Sequence, residues 1–525
     1  MDSDRSDFSR HAAEEAFVPI LQHPQHNGGG VLTFGSLTDQ LGIFLKGITS
    51  FWTIAVIVGA IQLFFSGGAY ALPFAIVAGA TLIPLTIWRN NTKGGIPFFL
   101  CFLIQQGVVY LMPLYISNPA LTQYSSEVLL TSALGIALFL ALLSVGWRMG
   151  IQQAHPRPSR LNISGDNREN ASELAMRIAM ALLSVSLMIA MVPFFVYLGG
   201  VTPILSAGSS AAATLGAMLG GYAMGVRGKN KPVFWIILAL LFFISIRDVL
   251  ISAAASFVVA AILGLALGSK KIPWMVLVVV FGLLTFLSAG KFTLREKYWK
   301  ESNTTGVTLT GLPALYAEWY QASMVALQGK EDQATLTARE VAKSDSGSFS
   351  ERINNFQNMA FIVRALEDQH IAPLFGATYT LIPPLFMPRI LWHNKPRAHA
   401  GQDLLNIHFE RQREVDVEMT FIAWGLLPEA VGNFGIWGGA IFLGILMGFL
   451  LGYLEAWSQL KELFSVEGLL LMGFWLKLMI SYEMVSSVFI TSTFQMLVVI
   501  ALGGGMLRSI FGAGGERRYG EGGEK

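Results

Sequence analysis

Long apolar runs divide this chain of 525 residues, and they constrain its fold more than any other feature. The chain is 53% hydrophobic and 13% charged, whereas soluble proteins carry about a quarter charged residues. A helix of about 20 apolar residues spans the hydrocarbon layer of a bilayer. The runs lie at 48–66, 69–88, 96–115, 126–147, 175–198, 203–225, 232–247, 249–268, 272–290, 433–455, 466–484 and 486–507. The predicted fold class is therefore an all-α polytopic membrane protein with about twelve transmembrane helices.

Positive charge alternates along the loops that join these runs. The loops after runs one, three and five, at 67–68, 116–125 and 199–202, contain no Lys or Arg. The loops after runs two, four, six, eight and ten contain one or more, and so does the tail after run twelve. Because cytoplasmic loops are enriched in Lys and Arg, we expect both termini in the cytoplasm of a bacterium with an inner membrane.

A hydrophilic stretch at 291–418 separates runs nine and ten, and the alternation predicts that it lies on the periplasmic side. It contains four of the eight histidines, and its 14 Lys and Arg residues nearly balance its 15 Asp and Glu residues. We therefore expect any anion site in this loop to be local rather than polybasic. The low net charge of +2 gives no reason to expect nucleic acid.

The predicted division of the chain follows from these runs. The segments are an N-terminal cytoplasmic tail (1–47), nine transmembrane helices (48–290), the large loop (291–418), three further helices (419–507) and a C-terminal cytoplasmic tail (508–525). The start of the chain does not have the basic and then apolar pattern of a signal peptide. The single cysteine, Cys101, excludes an internal disulfide.

Arg247 stands between two apolar runs that are too long together for one membrane helix. A charge at bilayer depth is unfavourable by several kcal/mol unless it is paired or hydrated. A turn at Arg247 on the outer surface satisfies both constraints. Arg247 is then either a cation facing the same compartment as the large loop or the partner of Asp248 in a simple helix hairpin.

The large loop is expected to be partly helical. One helix should follow Thr310-Gly-Leu-Pro313, and a capping box, Ser348-Phe-Ser-Glu351, should open a second. In the second helix, Arg364 can pair with Asp368 at the i,i+4 spacing or bind a ligand. Arg352 has only Glu351 beside it, which does not share its face, so it is the freer of the two arginines.

Four prolines interrupt the segment from Gly376-Ala-Thr-Tyr379 to Pro396, so it cannot be regular helix. Irregular backbone that carries Arg389, His393 and Lys395 is a candidate anion cradle, because arginine matches phosphate oxygens with its planar fork. No spacing of His, Asp and Glu here is typical of a metal site. We therefore expect no metal and no cofactor.

Glu429 and Asn433 lie where the chain re-enters the bilayer, in Gly425-Leu-Leu-Pro-Glu-Ala-Val-Gly-Asn-Phe-Gly435. They share one face if this segment is helical. A carboxylate at that depth needs a partner, although a Glu at the membrane interface is the simpler interpretation. The glycines Gly435, Gly438 and Gly439 favour close helix approach.

These features together resemble the Wzy-type O-antigen and oligosaccharide repeat-unit polymerases, over roughly 230–440. The resemblance rests on the Ser-x-Arg turn at Arg247, the late outer loop and the Pro-Glu-x-x-x-Asn-Phe-Gly helix start. It implies a metal-independent glycosyltransferase of the C-type membrane fold, with a glycan on polyprenyl diphosphate as its donor. By position, Arg247 matches the turn arginine of the family, and Arg352 and Arg389 match its loop arginines. The family has a small residue where this chain has Asp248.

The resemblance assigns roles to Arg247, Arg352 and Arg389, and the chemistry of the reaction suggests the others. Those expected in catalysis are Arg247, Arg389, His408 and Glu429, where His408 and Glu429 are alternative bases and His370 is a weaker third. Those expected to bind the diphosphate or the glycan are Arg352, Arg364, Tyr379, Lys395 and Asn433.

The predicted function is the polymerisation of lipid-linked repeat units for a surface polysaccharide. The predicted partners are the polyprenyl-diphosphate-linked oligosaccharide, membrane lipid, a chain-length regulator and a flippase. Alternatives are an O-antigen-type ligase, a lipid-linked glycan transporter, and a receptor or scaffold. Lys477, within run eleven, favours a transporter, unless it reaches the interface or faces the bundle.

Overall fold

The computed structural model is built from helices and their connections, with no β-strand among its described residues. It describes residues 33–40, 42–66, 68–161, 163, 171–192, 202–227, 231–247, 251–271, 273–300, 309–328, 354–387, 392, 394–414, 417, 422–481 and 483–516. Its helices are α1 Phe34–Gln40, α2 Gly42–Ser66, α3 Ala71–Asn91, α4 Phe98–Tyr115, α5 Ser126–Gln153, α6 Ala171–Met191, α7 Thr202–Arg227, α8 Pro232–Ile246, α9 Ile251–Ser269, α10 Trp274–Lys300, α11 Leu312–Leu327, α12 Asn355–Glu367, α13 Ala377–Thr380, α14 Ile382–Leu385, α15 Ala400–His408, α16 Leu426–Ser458, α17 Val466–Ile480 and α18 Ser486–Glu516.

A helix lies at every predicted apolar run. Eight helices, namely α2 to α6, α10, α16 and α18, are long and apolar enough to cross a membrane, and α8 and α9 are shorter apolar helices. The chain is therefore a helical membrane protein. The predicted division at Arg247 is confirmed, because α8 ends at Ile246 and α9 begins at Ile251.

The connecting segments meet in two groups, one at each end of the bundle. At one end, the Phe34 N–H donates to the Lys461 carbonyl (3.0 Å), and the Ile163 N–H donates to the Phe464 carbonyl (2.9 Å). At the other end, the Arg364 guanidinium lies 5.0 Å from the centre of the Tyr124 ring. Each group joins segments that the charge pattern predicts on one side of the membrane, so contacts and charge pattern agree.

Glycines bring two pairs of helices into backbone contact. In the pair α5 and α16, a Cβ on Gly448 would lie 2.2 Å from the Leu143 carbonyl oxygen, and one on Gly146 would lie 2.3 Å from that of Ile445. In the pair α7 and α9, a Cβ on Gly264 would lie 2.0 Å from the Met218 carbonyl oxygen. Small residues allow such approach in membranes, where dispersion rather than the hydrophobic effect holds helices together.

The second half of the predicted large loop, described at 354–387, 392 and 394–414, packs on the end of the bundle that contains Tyr124. We call it the outer cap, after the side of the membrane that the charge pattern predicts for it. Its helix α12 begins after Asn354, whose side chain accepts a hydrogen bond from the Gln357 N–H (3.0 Å). The predicted capping box at 348–351 lies outside the described residues. Met359 of α12 reaches Gly135 of α5, so the cap is inserted between helices and does not merely rest on them.

A buried carboxylate, Glu455, fixes the opposite end of α16. Its oxygens accept hydrogen bonds from the Trp88 indole (2.8 Å), the Thr92 hydroxyl (3.2 Å) and the Phe99 N–H (3.2 Å). These donors belong to α3, α4 and the segment between them. Glu455 thus joins three parts of the bundle, and this role explains its burial without a ligand.

Candidate functional site

Helix α16 is broken at Gly435. The backbone of Gly435 has φ 76° and ψ 171°, a region that is essentially restricted to glycine. A Cβ on Gly439 would lie 2.5 Å from the Ala430 carbonyl oxygen, although nine residues of a straight helix span about 13.5 Å. Residues 426–434 therefore form a half-helix that folds back against the helix 436–458.

We expect Gly435→Ala to destabilise the protein by about 2 kcal/mol, because an L-residue in this conformation is strained. Gly438→Ala is the matched control, since its Cβ would meet Phe434 at an ordinary 3.4 Å. The measurement is the thermal unfolding midpoint of each purified variant in detergent. Equal midpoints for the two variants would contradict the strained hinge.

The half-helix holds the fully buried side chain of Glu429. One carboxylate oxygen accepts a hydrogen bond from the Thr378 hydroxyl at 2.9 Å, and the other accepts one from the Ser486 N–H. Ser486 is the first residue of α18, where backbone N–H groups lack partners within their helix and the helix dipole favours an anion. Glu429 therefore caps α18 and binds the outer cap through Thr378.

Asn433 completes this network one turn later. Its amide nitrogen donates to the Thr378 hydroxyl (2.9 Å) and to the Glu429 carbonyl (2.8 Å). The predicted i,i+4 relation of Glu429 and Asn433 is confirmed. The half-helix, α13 and the start of α18 meet at these three polar side chains.

Tyr379 extends the network into an aromatic cluster. Its ring is parallel to that of Phe434 at 5.7 Å and edge-on to that of Phe442 at 5.6 Å. Burial raises the pKa of the Tyr379 hydroxyl, and the nearby Glu429 carboxylate acts in the same direction. The Ser486 hydroxyl lies close without meeting hydrogen-bond geometry, so within the described residues this buried phenol has no partner.

A second cluster alternates arginines with aromatic rings. Arg364 lies over Tyr124 at 5.0 Å and over Phe361 at 5.7 Å, while Arg411 lies over Phe361 at 5.2 Å and over Trp424 at 5.0 Å. Burial raises the pKa of Tyr124, and the two guanidinium charges oppose that shift. We call these five residues the arginine–aromatic stack; it joins the 116–125 loop, the outer cap and the segment before α16.

The polar groups around Trp424 fix one end of the stack. The Trp424 indole donates to the Asn406 side chain (2.7 Å), and the Trp424 carbonyl accepts from the Asn358 amide (2.9 Å). Arg411 donates to the Asn358 side-chain oxygen (2.8 Å). Trp424 and Asn406 are almost fully buried, so this end of the stack is rigid.

Some of the predicted ligand-binding residues lie in these two clusters, and others make different contacts. Glu429, Asn433 and Tyr379 come together through Thr378 and Ser486, and Arg364 joins the stack. Arg364 forms no ion pair with Asp368 within the described residues. The Lys395 ammonium donates to the carbonyls of Leu385 (3.1 Å) and Met387 (2.7 Å) and so caps α14.

His408 ends helix α15 of the outer cap. Its Nε2 lies 2.7 Å from the Ala372 carbonyl oxygen, which can only accept, so Nε2 carries a proton and donates. In the neutral ring Nδ1 then keeps its lone pair. Leu405 and Phe409, on either side of His408, pack against Gly432 of the half-helix.

Arg247 is half-buried and follows the last residue of α8. The Tyr316 hydroxyl of α11 donates to the Phe243 carbonyl nearby, so the first described helix of the large loop meets this end of α8. Arg352 and Arg389, like His393, lie outside the described residues. Their predicted roles stay predictions.

The sequence reasoning missed Thr378, Ser486 and Arg411. Ser486 had a usable signal, because a buried carboxylate often meets the N-terminus of a helix. Thr378 had none. Arg411 opens the charged run 411–418, but nothing in that run distinguishes it from Arg413.

The described residues contain no group of three or more His, Cys, Asp and Glu side chains arranged to hold a metal ion. No protein family, curated protein or solved structure matches the chain. The fold and the site therefore define only the class of protein. It is a polytopic helical membrane protein, and a polar network lies where its outer cap meets the broken helix α16.

Proposed function

We propose that this protein is a membrane glycosyltransferase that polymerises oligosaccharide repeat units carried on polyprenyl diphosphate. The supporting observation is the meeting of the outer cap with the half-helix 426–434 at Glu429, Thr378 and Asn433. A lipid-anchored donor remains in the bilayer while its glycan extends outside. A polar network at that boundary, beside exposed aromatic side chains such as Phe434 and Phe442, suits such a substrate. We also propose that the chain spans the inner membrane twelve times, with both termini in the cytoplasm and the outer cap in the periplasm.

In the proposed reaction, the acceptor hydroxyl oxygen bonds to the anomeric carbon of the donor while the bond from that carbon to the diphosphate oxygen breaks. The diphosphate leaves with the bonding electron pair, and the hydroxyl proton passes to a base. Preorganised cations stabilise the charge that develops on the leaving group; we assign this role to Arg247 and Arg389, with Arg352 or Lys395 assisting.

Of the two leading candidates for the base, His408 and Glu429, His408 is favoured by its surroundings. Its Nδ1 keeps a lone pair in the neutral ring because Nε2 is the donor to Ala372, and neutral imidazole is an effective base near pH 7. Glu429 is fully buried and both of its oxygens already accept hydrogen bonds. We therefore propose that Glu429 positions the half-helix and the cap.

We expect Arg247→Ala to abolish chain elongation, because the leaving diphosphate loses a cation that must act in the transition state. The measurement uses purified protein in lipid nanodiscs with a polyprenyl-diphosphate-linked oligosaccharide, and products are resolved as a ladder. The control is Arg148→Ala, because Arg148 is an exposed residue near the C-terminal end of α5. This variant should leave the ladder unchanged. A full ladder from Arg247→Ala would refute the assignment, and absence of any ladder from the unmodified protein would refute the polymerase.

Lys477 favours one other function, a transporter for lipid-linked glycans. It is half-buried within α17, and its ammonium group forms no ion pair with the described residues. Intramembrane cations often mark a substrate or ion pathway. Movement of the lipid-linked oligosaccharide across liposomes, without elongation, would favour this alternative.

A further inference from the structure

Arg364 has hydrogen-bond donors that the described residues do not use. Its guanidinium faces contact the rings of Tyr124 and Phe361, but its buried Nε has no acceptor. Its neighbour Asp368, at the i,i+4 position, forms no ion pair with it. Arg364 is thus held by stacking on its faces, and the guanidinium of this half-buried side chain makes no hydrogen bond to the described residues.

Arg411, the other arginine of the stack, differs in this respect. Its Nη2 donates to the Asn358 side chain at 2.8 Å, and its Nη1 donates to the Ala423 carbonyl at 3.5 Å. The edge of Arg411 is therefore engaged in holding the outer cap to the bundle. Of the two stacked guanidiniums, only that of Arg364 lacks hydrogen bonds to the described residues.

The number of N–H donors along the edge of one guanidinium decides which anions it binds well. Two parallel N–H groups match the two oxygens of one carboxylate. A diphosphate has more charge and more acceptor oxygens, and its binding calls for several cations. The two rings hold the Arg364 plane in place, which reduces the entropy lost when an anion binds.

We infer that Arg364 forms a subsite for the carboxylate of an acidic sugar, so that the repeat unit contains a uronic acid or a sugar of similar chemistry. The inference rests on the proposed function for the identity of the ligand as a glycan. It adds a glycan-recognition subsite, formed by Arg364 with Tyr124 and Phe361, to the proposed diphosphate site.

Binding of simple sugars to the purified full-length protein tests the subsite. The probes are glucuronate and galacturonate, each compared with the neutral sugar in which the carboxylate is replaced by an alcohol. We expect each uronate to bind roughly tenfold or more tightly than its neutral counterpart, because hydrogen bonds to charged groups contribute more than neutral ones. Arg364→Met should remove this preference while keeping much of the side-chain volume.

Arg397→Met is the matched control, because Arg397 also lies in the outer cap but pairs with Asp403 at 3.2 Å. It should keep the preference for both uronates. Equal binding of acid and neutral sugars by the unmodified protein would overturn the subsite, and so would inorganic pyrophosphate that displaces glucuronate and binds more tightly. A preference for uronates that depends on Arg364, without a polymerisation ladder, would retain the subsite and refute only the polymerase.

Discussion

Gly448→Leu should leave little folded protein. The Cβ alone would lie 2.2 Å from the Leu143 carbonyl oxygen and 2.9 Å from the Trp147 nitrogen. Both are backbone atoms, so α5 and α16 must separate along their whole contact to admit a larger residue. Overpacking destabilises by about 1–3 kcal/mol when side chains can adjust, and backbone atoms adjust less. We expect a loss of roughly 3 kcal/mol or more, measured as the fraction of monodisperse protein that remains after heating in detergent.

Gly505→Leu is the control for this substitution. Gly505 lies in α18, is exposed, and has no atom within 4 Å of the position that its Cβ would take. The same residue type is thus added to a membrane helix without a backbone contact. If Gly448→Leu withstands heating as well as Gly505→Leu does, the close contact of α5 and α16 is not what holds the bundle together.

Glu429→Leu should detach the outer cap from the bundle. The substitution leaves the Ser486 N–H and the Thr378 hydroxyl buried without their acceptor. Each unsatisfied buried donor is unfavourable by about 1–3 kcal/mol, so the loss should be roughly 3 kcal/mol or more in total. Limited proteolysis of the purified protein measures it, and we expect faster cleavage within 354–414 than in the unmodified protein.

Glu429→Gln separates positioning from catalysis. The glutamine oxygen can accept from the Ser486 N–H, and its amide can donate to the Thr378 hydroxyl, so the cap should stay attached. If Glu429 positions the half-helix, this variant keeps its resistance to proteolysis and retains elongation within about tenfold. A stable cap with elongation lost by a thousandfold or more would identify Glu429 as the base instead, since general bases contribute about 10²–10⁴.

Local sequence patterns predicted most of the fold. Helices lie at all twelve apolar runs, and the split at Arg247 falls where charge and length required it. The apolar run begins at 433, whereas helix α16 already begins at Leu426. The difference has a physical cause, since the half-helix 426–434 carries polar residues that shorten an apolar run.

The candidate site was predicted only where it is local. Glu429 and Asn433 are one helical turn apart, so their spacing was sufficient to place them together. Thr378 and Ser486 lie 51 and 57 residues from Glu429 along the chain. Their contact depends on how the outer cap packs against α16 and α18. The surroundings of Arg364 depend on packing in the same way, because Tyr124 approaches it from another loop.

The sequence by itself determined that the chain is a helical membrane protein and where its helices lie. Hydropathy and charge are properties of each segment by itself. They therefore predict the helices without knowledge of how the segments pack. The tertiary structure decided the fold-back at Gly435, the partners of Glu429 and the alternation of two arginines with three rings. These features depend on side-chain contacts between distant segments, and in a membrane such contacts are set by close packing and polar pairing.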